Sequence, residues 1–218
     1  MRKSTIWQIL ALGIVAGLCG TIVPASAQEP RLQDRVPEAV RSEIDAVLDS
    51  ARAQGIPAEP LVDRALEGAS KGASGDLILR AVRRLANELL AARDALGSES
   101  TDPEIVAGAS ALRAGAEPED LQSLRSLRAD QPLTIAAAVL ADLVAVGVPA
   151  DTAAAAVIAL AVGADDVEYI AFRRNVERDI TLGASPVAAL GVRLNAAAEA
   201  LDYAAPRSAS TTRRPRKP

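Results

Sequence analysis

Residues 76–96 read DLILRAVRRLANELLAARDAL. Ile78, Val82, Leu85, Leu89, Ala92 and Leu96 follow one another at steps of four, three, four, three and four. That spacing draws one apolar stripe down an α-helix and predicts a seam packed against a partner helix. Arg80, Arg83, Arg84, Glu88, Arg93 and Asp94 fall off the stripe, as a solvated face requires. The same helical period runs outward from this stretch, back to about Pro37 and on to about Tyr203. No convincing run of alternating or β-branched residues interrupts it. The class is therefore all-α, with about nine antiparallel helices.

Punctuation sets the helix count. Gly55-Ile56-Pro57, Gly115-Ala116-Glu117-Pro118, Gly147-Val148-Pro149 and Gly183-Ala184-Ser185-Pro186 share one grammar. A glycine just past a helix end takes the left-handed conformation that closes it, and a proline soon after suits the first turn of the next helix. Gly72, Gly97 and Gly163 supply further stops. The spacings from 115 to 147 and from 147 to 183 approach the length of a helical-hairpin repeat, while 55 to 115 fits only as a loose double unit. Two arrangements satisfy this pattern: degenerate helical-hairpin repeats, like an α-solenoid, or a compact bundle.

Start signals agree with the stops. Ser74 and Asp76 precede one helix, and Asp102-Pro103-Glu104 opens another. Asp165 with Glu168 resembles a capping box, and Ser185-Pro186 pairs a cap with a first-turn proline. Between Pro132 and Gly163 the only charges are Asp142 and Asp151, and Ala153 to Val162 is apolar throughout. A helix apolar on every side is buried or lies in lipid. Each half is too short and alanine-rich for a span, so a buried central hairpin is expected rather than a membrane-inserting one.

The chain holds 47 alanines, and its described chemistry depends on where it is cut. Residues 1–27 read as a secretory signal peptide: Arg2 and Lys3, an apolar stretch from Ile9 to Val23, then Ala25-Ser26-Ala27 with cleavage between Ala27 and Gln28. A retained membrane anchor is the weaker alternative. Leu18 stands before Cys19 where a lipoprotein signal wants a small residue, which argues against lipidation. Residues 28–36 are expected to be a flexible leader, residues 37–205 the helical domain, and residues 206–218 a disordered basic tail without any hydrophobic pattern.

Export with cleavage removes Trp7, Cys19 and Met1 and leaves no His, Cys, Trp or Met. Disulfides, the usual zinc, haem and iron–sulfur sites, Cys nucleophiles and His bases are then excluded. Tyr169, Phe172 and Tyr203 remain as the only aromatics, a poor platform for sugars or unpaired bases. No cofactor, metal or stable transmembrane span is expected after cleavage. Between residues 28 and 205 there are 17 basic and 28 acidic residues, a net of −11, with Lys71 the only lysine. The tail carries Arg207, Arg213, Arg214, Arg216 and Lys217 and no acid.

Few motifs carry chemistry. Glu67-Gly68-Ala69-Ser70-Lys71-Gly72-Ala73-Ser74-Gly75 could cradle a phosphate, but its lysine precedes the glycine and follows a helix, unlike a Walker loop. Glu67 and Lys71 instead form an i,i+4 pair, with Gly72 closing that helix. Asp102 with Glu104, Glu117 with Glu119 and Asp120, and Asp165 with Asp166 could be paired catalytic carboxylates or calcium ligands. All three clusters sit at helix starts, where acids oppose the helix dipole. Tyr169, Phe172 and Arg173 have the composition of an interaction patch, but Tyr169, Phe172 and Val176 fit a core stripe better, with contact at a partner surface the alternative.

The function expected from this inventory is an exported, periplasmic or secreted, non-catalytic helical module with a structural or protein-interaction role and an unknown protein partner. The alternative is a peripheral binder of anionic surfaces (lipid, cell-wall polymer or nucleic acid) through the basic tail, weak and salt-sensitive. An enzyme restricted to Asp, Glu, Ser or Lys is the third possibility, and it requires carboxylates converging in a deep cleft.

Overall fold

The computed structural model describes residues 29–208, with side chains to Leu201. Nine α-helices and no strand occur among the described residues: α1 (Glu38–Ala53), α2 (Glu59–Ser70), α3 (Gly75–Leu96), α4 (Asp102–Ala114), α5 (Pro118–Leu127), α6 (Thr134–Ala145), α7 (Ala150–Leu160), α8 (Asp166–Thr181) and α9 (Pro186–Ser208). The six stripe residues of α3 are all buried, as their spacing requires.

Every extensive contact joins helices no more than two places apart in the chain. α1, α3, α5, α7 and α9 each touch the next of their set, forming one row. α4, α6 and α8 form a second row, and α2 packs against α3 beside it. No extensive contact brings the first helices to the last. Each helix thus buries its apolar face on helices close to it in the chain, in a compact all-helical packing. The central hairpin of α6 and α7 lies inside, with Ala136, Ala137, Leu140, Ala153, Ala156 and Val157 buried. No helix among the described residues is long and apolar enough to cross a membrane.

The glycine stops take the expected conformation. Gly115 at φ +112° and Gly147 at φ +98° are left-handed, a region that costs a residue with a Cβ of order 1–3 kcal/mol. Gly163 is not among the positive-φ glycines; the chain leaves α7 through a turn there. Pro118 and Pro186 begin their helices, whereas Pro149 is the N-cap of α7 and Pro57 precedes α2 by two residues. Two helical glycines serve close packing. A Cβ on Gly68 would stand 2.8 Å from Ile78 Cγ1, and one on Gly108 would meet Leu96, Ala92 and Leu121 at 3.0–3.3 Å.

Two expected boundaries change. Residues 29–36 are part of the folded body and not a flexible leader. Pro30–Leu32 forms a 3-10 turn, and Leu32 and Val36 are 1% and 3% exposed in the core. The physical reason is that two aliphatic side chains four residues apart suffice to seat a short segment when a charged clamp assists them. Arg31 donates two hydrogen bonds to the Glu59 carboxylate, at 2.6 and 2.7 Å, across to α2. At the other end α9 runs to Ser208, three residues into the expected tail, because the alanine-rich helix continues through Ala204-Ala205. The rest of that tail, residues 209–218, and the signal segment with its cleavage site at Ala27 and Gln28 lie outside the described residues.

Candidate interaction surface

The acidic clusters resolve into helix caps. Thr101 N–H donates to Glu104 Oε2 at 2.8 Å, and Glu117 N–H donates to Asp120 Oδ2 at 2.9 Å. Asp165 N–H donates to Glu168 Oε2 at 2.7 Å, and Glu168 N–H returns a bond to Asp165 Oδ1 at 2.9 Å. Each box satisfies amides that the helix cannot reach. Among the described residues no three His, Cys, Asp or Glu side chains gather as a metal site. In the glycine-rich stretch Lys71 Nζ lies 2.6 Å from Glu67 Oε1, and Gly72 closes α2 at φ +68°. Ser74 occupies the N-cap position of α3 without a side-chain hydrogen bond.

Tyr169 and Phe172 do not form a surface patch. They are 0% and 4% exposed and belong to the core with Val176. Their i, i+3, i+7 spacing places all three on the inner face of α8, where burial outweighs any role at the surface. Arg173 stays at the rim, half-buried, with its guanidinium 3.2 Å from Asp142 and 2.9 Å from Glu177. Arg207 falls within the range of α9, while Arg213, Arg214, Arg216 and Lys217 lie outside the described residues.

Two buried polar residues were not legible as such. Glu104, 4% exposed, accepts from the backbone N–H of Thr101 and of Leu133 and from Arg125, the last at 2.6 Å. Burial pushes its carboxyl up, but these hydrogen bonds prevail and hold its pKa at about 2. It thereby ties the start of α4 to α5 and to the turn before α6. Arg128, 2% exposed, donates to the Ala164 carbonyl and reaches Asp166 Oδ1 at 3.2 Å, joining the end of α5 to the α7–α8 turn. One signal could have found it: Leu121, Leu124 and Arg128 continue a single buried stripe at steps of three and four. Tyr169 hydroxyl donates to the Val157 carbonyl at 2.8 Å, and burial pushes its pKa up to about 12. These groups spend most of their polar capacity inside the fold; Arg128 Nε is buried without a partner among the described residues.

What remains open is surface. One groove runs along α3 between Arg80 and Ala91, walled by Leu112, Arg113, Ala116 and Pro118. A second lies on the other flank of α3 against α1, and the two share Arg83 and Asn87. A third, between α8 and α9, is lined mostly by Ala and Leu. Exposed aliphatic residues concentrate at the α7–α9 end, with Val162, Val167, Leu182, Val187 and Val192 all more than half exposed. The grooves gather rim arginines and small apolar side chains. Comparison with family models, with curated proteins and with solved structures returns no match.

Proposed function

We propose that this chain is an exported, non-catalytic helical module that binds another protein along the open faces of its two helical rows. The observation that carries this reading is the division of polar residues. One acid of each cluster (Glu104, Asp120 and Asp165), together with the buried Arg128, is committed to a cap or helix junction, while the grooves beside α3 keep exposed, chemically mixed surface. Stacked hairpins present long faces of this kind because each helix contacts only its neighbours. The signal-like segment at residues 1–27 supports a role outside the cytoplasm.

Two measurements test the reading. The protein recovered from its producing cell should have the mass of a chain beginning at Gln28 in the exported fraction; a cytoplasmic chain that retains residues 1–27 overturns export. A photo-crosslinking residue at Asn87 should yield one discrete protein adduct that the same residue at Arg174 does not. Reproducible turnover of a small substrate by the purified mature chain, lost on substituting a carboxylate, overturns the non-catalytic assignment.

A further inference from the structure

We propose that the groove along α3, between Arg80 and Ala91, receives an extended acidic peptide segment of the partner protein; this rests on the interaction-module reading and names its site and ligand class.

Residues 28–205 carry a net of −11, yet Arg80, Arg83, Arg84 and Arg113 collect on this one groove. Only two carboxylates meet them. Glu88 is shared between Arg84 at 2.9 Å and Arg113 at 2.7 Å, and Glu43 takes Arg83 at 2.6 Å. Arg80 is exposed and makes no ion pair among the described residues. The Arg83–Glu43 pair is exposed on both sides and exchanges readily for a carboxylate from a ligand, whereas Glu88, 16% exposed, keeps Arg84 and Arg113 poised at the groove. Guanidinium forks are the side chains best shaped to take one.

Ala91, Leu112 and Ala116 give the floor small apolar relief. Asn87 is exposed, and among the described residues neither end of its amide is engaged by a protein hydrogen bond. A free amide can donate to a peptide carbonyl and accept from a peptide N–H. A polyphosphate chain would find no use for the apolar floor and would face Glu88 at close quarters. Peptide carboxylates separated by apolar side chains fit both features. From residue 80 to residue 91 a helix rises about 16 Å. An extended strand of about five residues covers that length.

The test uses the mature chain and a fluorescein-labelled peptide Glu-Leu-Glu-Leu-Glu, with Gln-Leu-Gln-Leu-Gln as the neutral probe. Anisotropy should register saturable binding of the acidic peptide that weakens with salt, and at least tenfold weaker binding of the neutral one. The double variant R80E/R84E, with both sites on the exposed face of α3, should lose at least tenfold in affinity with an unchanged helical circular-dichroism spectrum. R174E, on α8 outside this groove, should bind like the parent. Equal loss in R174E, or no saturable binding by the parent, overturns the proposal. So does inorganic polyphosphate displacing the peptide at lower charge concentration than free peptide does. A partner crosslinked through Asn87 whose capture is insensitive to R80E/R84E also overturns the acidic-peptide site, and it leaves the broader interaction reading standing.

Discussion

The guanidinium carbon of Arg128 lies 5.2 Å from the centroid of the Tyr169 ring, with both side chains buried. This cation–π contact joins the end of α5 to α8, and the same guanidinium caps the carbonyl of Ala164 at the α7–α8 turn. Desolvated pairs of this type contribute about 2 kcal/mol or more. Arg128→Ala should lower unfolding free energy by about 3 kcal/mol in urea titration, and Arg128→Lys by about 1–2 kcal/mol, because an ammonium cannot reach Ala164 and Asp166 with one planar fork. Tyr169→Phe keeps the ring but orphans the Val157 carbonyl, at a cost of about 1 kcal/mol. A lysine variant as stable as the parent would refute the fork's role.

Glu104 predicts an acid-sensitive component of stability. Its folded pKa of about 2 lies below the ordinary value of 4.5, so the folded state favours the carboxylate. The stabilisation is complete above about pH 4.5 and disappears as pH falls towards 2. The shift corresponds to about 3 kcal/mol. Glu104→Gln should be less stable than the parent at pH 6, and that gap should shrink steadily as pH is lowered through this window. A gap independent of pH would show that the charge is not what holds the junction.

Gly108 and Gly191 should respond to alanine in opposite directions. A methyl at 108 would press on the Ala92 Cβ at 3.2 Å, a group tied to the α3 backbone that cannot move aside alone. We expect Gly108→Ala to destabilise by about 1–2 kcal/mol despite its gain in helix propensity. Gly191 lies in α9 with nothing within 4 Å of the added Cβ. Gly191→Ala should stabilise by about 0.5–1 kcal/mol, read as a shift of the thermal midpoint.

The segment before α1 supplies a fourth test. Leu32→Ala removes a fully buried side chain and should cost about 2–4 kcal/mol. If residues 29–36 were a mere leader, the substitution would leave the urea midpoint where it was.

Much of the fold was legible because its signals are local. The α3 stripe, the left-handed glycines at 55, 115, 147 and 183, and the Asp165–Glu168 box each depend on a few adjacent residues. Leu32 and Val36 leave no local signal because two aliphatic residues in a polar stretch set no period, and what buries them includes α2, far along the chain. Glu104 was readable as a cap, but its bond to Leu133 N–H spans twenty-nine residues and leaves no local trace. The same distinction separates the two surface readings. Tyr169 and Phe172 stand out by composition, while the arginines around the α3 groove read as an ordinary solvated face because the groove exists only where α4 and α5 pack beside α3.

The neighbour-only contacts of the two rows have a mechanical consequence. Among the described residues no extensive contact joins the first helices to the last, so tension applied between the ends has no single keystone to break. Pulled in an optical trap, the molecule should lengthen in successive rips as hairpins peel away, and on release it should re-coil from whichever segment still stands.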